Sequence, residues 1–231
     1  MGIPFAAKAV LGVRERNNMS MRMRKKRNFE ARMQACEHLL LARGANGILN
    51  MKEAAENFRA LVDMEKTFNN SNPVALEIGC GKGGFVLRLA KENPNVNYLA
   101  LEKMSNVILT PLEETVKEGI ENVRFLNIRA ECLPCYIPEQ SISVIYLNFS
   151  TPLPKLGYAS QRLTHRNFLE KYKKLLVKGG KIIQKRIIGI SSISRWTNTA
   201  CVGLNLKTWI TICTKTATLP IMLSPNTNKN G

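Results

Sequence analysis

Residues 76–84 read Leu-Glu-Ile-Gly-Cys-Gly-Lys-Gly-Gly, an apolar stretch that runs directly into a turn rich in glycine. The apolar residues predict a buried strand, and the residues after the turn predict a helix that Pro94 ends. Glycine lets the backbone approach a ligand closely, and the start of a helix offers unpaired N–H groups. A lone turn of this kind is either a tight connection or a ligand cradle. The residues around it have to distinguish the two.

Short runs of strand-forming residues alternate with longer helical patterns from Val74 to about Lys185. The predicted strands are 74–78, 97–102, 123–128, 144–149 and 181–184. The predicted helices are 84–93, 105–119 with Ser105 as its N-cap, and a segment around 168–176 that Gly179 and Gly180 end. This order predicts an α/β domain with a mostly parallel sheet and helices on both faces.

Two carboxylates flank the glycine turn. Glu102 closes the second predicted strand, where a carboxylate is placed to accept both hydroxyls of a ribose. Glu77 precedes the first glycine and can face the cationic part of a cofactor. S-adenosylmethionine has a ribose, an ammonium and a sulfonium but no phosphate, so it suits two carboxylates better than a pyrophosphate does. The alternative for Glu102 is a solvated strand end.

The net charge indicates the class of partner. The chain has 34 Lys and Arg against 17 Asp and Glu, a formal net charge of +17. Such a charge creates a long-range field that attracts polyanions. We therefore expect a nucleic acid as partner, and a basic protein without a polyanionic ligand is the alternative.

Composition narrows the other possibilities. Hydrophobic residues make up 45% of the 231 residues and charged residues 22%, which is typical of a globular protein and argues against disorder. There is no run of about 18 uninterrupted apolar residues, so we expect no membrane span. Six irregularly spaced cysteines indicate free thiols and a cytoplasmic location. The C-x-x-C pair Cys132 and Cys135 offers too few ligands for structural zinc, so we expect no metal.

The fourth predicted strand leads into a loop with two prolines. Residues 145–155 read I-Y-L-N-F-S-T-P-L-P-K, and residues 162–164 read R-L-T. Ligands sit at the C-terminal ends of strands in such sheets. The prolines stiffen the loop beside Lys155, and Arg162 follows where it can reach a phosphate.

These motifs, with M-R-M-R-K-K at 21–26 and E-I-G-C-G-K-G at 77–83, resemble the bacterial tRNA (guanine-N7)-methyltransferase family. The resemblance covers about residues 21–185. It implies a class I, Rossmann-like methyltransferase fold. It also implies transfer of a methyl group from S-adenosylmethionine to N7 of a guanosine in the tRNA variable loop, and hence tRNA as the partner.

The resemblance implies roles for individual residues. It places Thr151 at the active-site position and Lys155 at the RNA, where Arg162 is a second candidate. The residues expected around the cofactor are Glu77, Gly79, Gly81, Gly83, Glu102, Arg129, Ala130 and Asn148.

Three positions depart from the family's pattern. The family usually has Asp at the positions of Arg129 and Thr151, and Trp at the position of Leu153. Glu131 is a candidate to replace the carboxylate lost at Arg129. Two alternative functions follow: a catalytically impaired tRNA-binding remnant of the family, and a methyltransferase that acts on another RNA.

Charge and pattern divide the chain into four segments. Residues 1–20 match no motif, so we expect translation to start at Met21 or nearby, with 1–20 a non-native leader. Residues 21–70 hold a basic arm and two predicted helices, roughly 28–42 and 51–68. Residues 71–185 form the predicted methyltransferase domain. Residues 186–231 contain no Asp or Glu and form a predicted frameshifted tail.

A single missing base explains the tail. In the family the strand that includes Lys185 continues into K-T-D-N, and a later T-E-Y-E also contributes to the site. If the gene once read AAA ACG GAT AAT CGG, it encoded K-T-D-N-R, and with one A removed the same bases read K-R-I-I-G, as at 185–189. The same shift turns codons for 224–228 into T-E-Y-E. We therefore expect the late strands of the sheet to be missing or disordered.

Sequencing the DNA across the Lys185 codon tests the frameshift. We expect a run of A in which one additional base restores T-D-N-R after Lys185. An unbroken reading frame with no A-run near this codon would contradict the prediction. The intact mass of the native protein tests the start at Met21 separately.

Overall fold

A computed structural model of the protein describes residues 24–44, 61–148, 156–188, 205–213 and 218–223. Its helices are α1 (Phe29–Ala35), α2 (Met64–Phe68), α3 (Gly84–Glu92), α4 (Ser105–Glu118) and α5 (Arg166–Leu175). Its strands are β1 (Leu40–Arg43), β2 (Val74–Ile78), β3 (Asn97–Leu101), β4 (Val123–Asn127), β5 (Ile142–Asn148), β6 (Leu176–Ile188), β7 (Asn205–Cys213) and β8 (Thr218–Leu223). Short 3₁₀ helices cover Glu37–Leu39, Ala130–Cys135 and Leu156–Gln161.

The described strands form one sheet in the order β1-β4-β3-β2-β5-β6-β7-β8. All neighbouring pairs are parallel except β7 and β8. From β2 the chain adds β3 and β4 on one side, and it then returns to add β5 and β6 on the other. The strand order therefore reverses between β2 and β5, and ligands bind at such a point beyond the C-terminal ends of the strands.

Helices cover both faces of the sheet, as the sequence predicts. All five residues of β2 and all five of β3 are buried, as in parallel strands enclosed between two helical layers. One apolar cluster, which includes Leu76 and Leu99, packs against α2 and α5. The other, which includes Ala75 and Tyr98, packs against α1, α3 and α4. No helix in the described part of the chain has the length and hydropathy of a membrane span.

Most of the predicted elements are confirmed within a few residues. Helix α4 ends at Gly119, which has φ 64° and caps the helix as expected. Ser105, however, is the first helical residue, and Met104 occupies the N-cap. The prediction of Ser105 as N-cap is wrong because its hydroxyl donates to Asn127 Oδ1 at 2.7 Å instead.

Two sequence predictions are corrected. The helix predicted over roughly 28–42 ends at Ala35, and Leu40–Arg43 pair with β4 as the edge strand β1. Gly179 and Gly180 do not end a helix, because α5 stops at Leu175 and both glycines lie within β6. Gly179 has φ 81°, and the register between β5 and β6 shifts in this stretch. The glycines therefore accommodate an irregularity of the strand. Of the helix predicted over 51–68, residues 61–68 are described, and Met64–Phe68 are helical.

The tail contains strands that the sequence did not lead us to expect. β7 pairs with β6 in parallel from Asn205 to Ile212, and β8 pairs with β7 in antiparallel fashion. These two strands extend the sheet beyond β6. The stretches are rich in Ile, Thr and Leu, and β-branched residues favour extended backbone whatever reading frame produced them.

The basic arm packs against helix α4. Arg32 donates to both carboxylate oxygens of Glu113, at 2.6 and 2.7 Å. Lys26 Nζ donates to Thr110 at 2.6 Å, and Asn106 donates to the Arg24 carbonyl at 2.8 Å. These contacts hold residues 24–27 beside the first turns of α4, at the edge of the sheet where β3 ends.

The side chain of Asn122 ties the end of α3 to the start of β4. Its amide nitrogen donates to the carbonyls of Ala90, Asn93 and Val96 at 3.0, 3.2 and 2.9 Å.

We expect Asn122→Ala to lower the free energy of unfolding by about 1–3 kcal/mol, because helix-end carbonyls lose their donor. Asn122→Asp should lower the free energy of unfolding further, because it replaces the amide donor by a carboxylate oxygen that faces the carbonyl oxygens. Urea denaturation measures both. The neighbouring Glu121→Gln is the control, and equal stabilities of all variants would contradict the account.

Candidate functional site

The glycine turn lies between β2 and α3, at the C-terminal edge of the sheet. Gly79, Gly81 and Gly83 have φ angles of 81°, 58° and 81°, in the left-handed region that favours glycine. A Cβ at Gly79 or Gly81 would meet no atom within 4 Å, whereas one at Gly83 would clash with Pro111 of α4. A side chain at Gly83 would therefore disturb the packing of α3 against α4, and the first two glycines leave an open surface at the switch point.

Glu102 joins the glycine turn to the end of β3. Its Oε2 accepts from the Gly81 amide at 3.2 Å, and its Oε1 accepts from the Met104 amide at 2.9 Å. A carboxylate offers about four lone-pair sites, so two amide donors leave capacity for two more. The alternative of a freely solvated strand end does not describe this side chain, because it has a defined position beside the turn.

Asn127 supports Glu102 from the neighbouring strand, a contribution that the sequence reasoning missed. Its side chain is fully buried at the end of β4. Its amide nitrogen donates to the Glu102 carbonyl at 2.8 Å, and its Oδ1 accepts from Ser105. A buried asparagine as the last residue of an otherwise apolar strand is the signal that could have indicated this role.

Glu77 and Asn148 form a buried polar pair across β2 and β5. Asn148 Nδ2 donates to Glu77 Oε1 at 2.8 Å. Both residues are buried, and among the described residues Glu77 Oε2 and Asn148 Oδ1 have no hydrogen-bond partner. Buried acceptors without donors cost free energy. Each of these two oxygens can accept a hydrogen bond from a cationic group such as an ammonium.

The surroundings of Glu77 change its acidity. Burial raises the pKa of Glu77 to about 7, and the Asn148 hydrogen bond, the Val86 amide and the Lys185 charge oppose that rise. Tyr146 of β5 lies in register with Glu77, and Phe85 meets its ring edge-on at a centroid distance of 5.1 Å. Lys185 lies over the Phe85 ring. The sequence reasoning also missed these three residues.

Arg129 and Ala130 follow β4, at the same edge of the sheet. Ala130 is buried and begins the 3₁₀ helix Ala130–Cys135. Arg129 pairs with Glu131 at 3.2 Å. Burial is the largest single influence and opposes the ionisation of Glu131, but the Arg129 hydrogen bond, the residue's own backbone amide and the charges of Arg129 and Lys171 together outweigh it, so the pKa of Glu131 lies below its ordinary value. The carboxylate proposed as a substitute at this position is thus present and charged, and Arg129 already engages it.

The predicted substrate residues are less completely described. Thr151 and Lys155 lie outside the described residues. Arg162 follows the 3₁₀ helix Leu156–Gln161, and its carbonyl accepts from the His165 amide at 2.8 Å just before α5. Because this segment connects the C-terminal end of β5 to α5, Arg162 lies on the same side of the sheet as the glycine turn.

The cysteines form no metal centre within the part of the chain that is described. Cys132 is buried and Cys135 half-buried, and no three His, Cys, Asp or Glu side chains among the described residues lie together in a group that could hold a metal ion. Burial raises the pKa of Cys132 to about 11, which keeps it a thiol at neutral pH.

The residues at this edge fit S-adenosylmethionine. Glu102 has acceptor capacity for a ribose, the surface at Gly79 and Gly81 is open, and two buried oxygens at Glu77 and Asn148 match a cation. A pyrophosphate would fit this turn poorly, because the carboxylates of Glu77 and Glu102 on its two sides would repel the negative charge. The site therefore has the character of a nucleoside-cofactor pocket at the topological switch point.

Comparison with known proteins gives the class. Residues 71–186 match the model of a family described as "Putative methyltransferase". This match covers half of the chain, so the protein belongs to that methyltransferase family. The match ends one residue after Lys185, where the sequence predicts the change of frame.

The chain is also similar to individual proteins and solved structures. A tRNA (guanine-N(7)-)-methyltransferase of Geobacillus sp. strain WCH70 is 44% identical over 115 residues, which is 50% of this chain and 52% of that protein. The chain thus spans about half the length of this curated relative. Among solved structures, the antibiotic-resistance methyltransferase Kmr has 21% identity and a TM-score of 0.43, over 53% of this chain and 63% of that chain. The YcgJ protein of Bacillus subtilis has 22% identity and a TM-score of 0.37, over 51% and 45%.

The raised pKa of Glu77 predicts a pH-dependent stability. Between about pH 4.5 and 7 the folded chain holds a proton that the unfolded chain releases, so stability falls as pH rises through this window. Glu77→Gln removes the titration and keeps an oxygen for Asn148. We expect the variant to be more stable than the wild type at pH 8, by about 2–3 kcal/mol, with the difference vanishing at pH 4. Urea denaturation at both pH values measures it, with exposed Glu139→Gln as control. A difference independent of pH would contradict the assignment.

Proposed function

We propose that the protein transfers a methyl group from S-adenosylmethionine to N7 of a guanosine in the variable loop of tRNA. The observation that carries the proposal is the position of Glu102, which the backbone holds beside an open glycine turn at the switch point of a methyltransferase-family sheet. The 44% identity to a protein with this named activity supports the choice of reaction. The residues of this chain also resemble that family's motifs in the Y-L-N-F-S and R-L-T segments.

Eight residues are proposed to hold the cofactor. Glu102 would accept the ribose hydroxyls, and Glu77 with Asn148 would face the cationic end. The remaining members are Gly79, Gly81, Gly83, Arg129 and Ala130. When bound, S-adenosylmethionine supplies an electrophilic methyl group on a sulfonium.

The acceptor atom explains why few catalytic side chains are needed. N7 of guanine has a lone pair in the ring plane and bears no proton, so attack by N7 requires no general base. The chain's task is therefore alignment, and positioning two reactants in a near-attack arrangement contributes several kcal/mol. A carboxylate near the purine would also stabilise the developing positive charge, and its loss costs about 2–4 kcal/mol. Thr151, at the position where the family has Asp, is expected to slow the reaction without abolishing it.

The basic surface supports tRNA as the substrate. The net charge of +17 favours a polyanion, and the arm at 24–27 lies on α4 beside the cofactor edge. Lys155 and Arg162 are proposed to contact the RNA. A tRNA-modifying protein of this kind would act in the cytoplasm.

One alternative has a specific observation in its favour. The Arg129–Glu131 ion pair occupies a predicted cofactor position, and Thr151 and the tail lack the carboxylates that the family pattern has. A catalytically impaired remnant that binds tRNA would have these features. A methyltransferase that acts on another RNA is the second alternative.

Incubation with tRNA transcripts and S-adenosylmethionine, followed by nucleoside mass spectrometry, tests the function. 7-Methylguanosine from the variable loop, formed slowly, supports the proposal. Binding of S-adenosylhomocysteine and tRNA without methylation supports the remnant, and methylation of other RNAs alone supports the second alternative. A chain that binds neither the cofactor nor tRNA contradicts all three.

Substitution of Glu102 tests the cofactor site directly. We expect Glu102→Ala to weaken binding of S-adenosylmethionine by about 1–3 kcal/mol, because the ribose loses charge-assisted hydrogen bonds. Isothermal titration calorimetry measures the affinity, and Glu92→Ala, an exposed carboxylate at the end of α3, serves as the control. Unchanged affinity of a folded Glu102→Ala variant would contradict the assignment.

A further inference from the structure

The positive charge that acts on Glu77 comes from Lys185, two strands away in the sheet. Lys185 lies in β6, in register with Asn148 of β5, and Asn148 in turn donates to Glu77. The strand order β2-β5-β6 therefore brings a carboxylate, an amide and an ammonium side by side at the C-terminal edge.

An aromatic ring holds the Lys185 side chain in place. Its Nζ lies 4.8 Å from the centroid of Phe85, the second residue of α3. A cation above an aromatic face is attracted by the ring quadrupole, and partial burial strengthens this attraction. Phe85 itself packs edge-on against Tyr146. The ammonium is thus positioned by α3 and β5 and is not left to solvent.

We propose that Lys185 is a positioning residue that favours the charged form of Glu77, so that the carboxylate can receive the cationic end of the cofactor. This inference rests on the proposed function, because it concerns the same cofactor. The ammonium stabilises the carboxylate through their mutual attraction across Asn148. Its Nζ lies over the ring of Phe85.

The other groups around Glu77 cannot supply this charge. Tyr146 faces it from β5 and Cys80 from the glycine turn, and burial raises the pKa of both, so both are neutral below pH 9. Glu102 lies across the turn and adds negative charge. Helix α3 contributes the Val86 amide and the Phe85 ring. Lys185 is therefore the positive side chain that acts on Glu77 among the described residues.

Calorimetry of S-adenosylhomocysteine binding between pH 6 and 9 tests the role. This ligand has no sulfonium, and its own ionisation is the same for every variant. Loss of Lys185 raises the Glu77 pKa further, so Lys185→Met should bind about tenfold more weakly than wild type at pH 6 if that rise is about one unit. The penalty should disappear by pH 9, where Glu77 is ionised in both proteins. Lys185→Arg should restore wild-type binding at both pH values.

Three further variants separate this role from packing. Lys181→Met removes an exposed lysine about 13 Å away along the same strand and should leave binding unchanged. Phe85→Leu removes the ring that positions Lys185, so it should weaken binding at pH 6 by less than Lys185→Met and not at pH 9. This variant tests the role independently if Lys185→Met does not fold. In a Glu77→Gln background, Lys185→Met should have no pH-dependent effect, because the group it acts on is gone.

The outcomes distinguish this proposal from the proposed function. A wild-type chain that fails to bind S-adenosylhomocysteine at every pH overturns both. If the wild type binds, three results overturn the role of Lys185 alone. These are a Lys185→Met penalty that is equal at pH 6 and pH 9, no penalty, and tighter binding by Lys185→Met.

Discussion

The end of β3 is bound to the glycine turn by backbone hydrogen bonds. The amides of Gly79 and Cys80 both donate to the Leu101 carbonyl, at 2.7 and 2.9 Å, and the Gly81 amide donates to Glu102. Three consecutive amides can point the same way only because the turn adopts left-handed φ angles, which glycine permits. The position of Glu102, the direction in which α3 starts and the open surface at the switch point all depend on this arrangement.

The two carboxylates that flank this turn, Glu77 and Glu102, differ in their electrostatic surroundings. Glu102 is stabilised by two amide donors and stays close to solvent. Glu77 accepts from the Asn148 side chain and the Val86 amide, but burial outweighs these hydrogen bonds and raises its pKa to about 7. The same edge therefore offers one carboxylate suited to neutral hydroxyl donors and one that needs a nearby cation. Lys185 meets that need from β6, and a cationic ligand would reinforce it.

Local pattern was sufficient to predict the central part of the fold. β2, β3 and β4 are short apolar runs enclosed by helices, and their bounds follow from burial alone. β1 was missed because its residues continue a helical stripe, and only pairing with β4 makes them a strand. Gly179 and Gly180 were misread because glycine ends helices and also relieves irregular strands. The tail strands were missed because an argument from the reading frame says nothing about the β-propensity of the new residues.

The candidate site divides in the same way. Glu77 and Glu102 were predictable because each stands at a strand end next to a glycine turn. Asn127, Phe85 and Lys185 were not, because each acts through a partner on another strand or helix that only the folded sheet brings close. The roles of Thr151 and Lys155 rest on the family resemblance, since both lie outside the described residues.

A crystal structure of the chain with S-adenosylhomocysteine tests the central claim most directly, that the turn between β2 and α3 together with Glu102 forms the cofactor site. The account predicts the ribose hydroxyls on the Glu102 carboxylate, with the amino-acid end of the ligand toward Glu77 and Asn148. A ligand bound elsewhere on the molecule, or ribose hydroxyls without contact to Glu102, would contradict it.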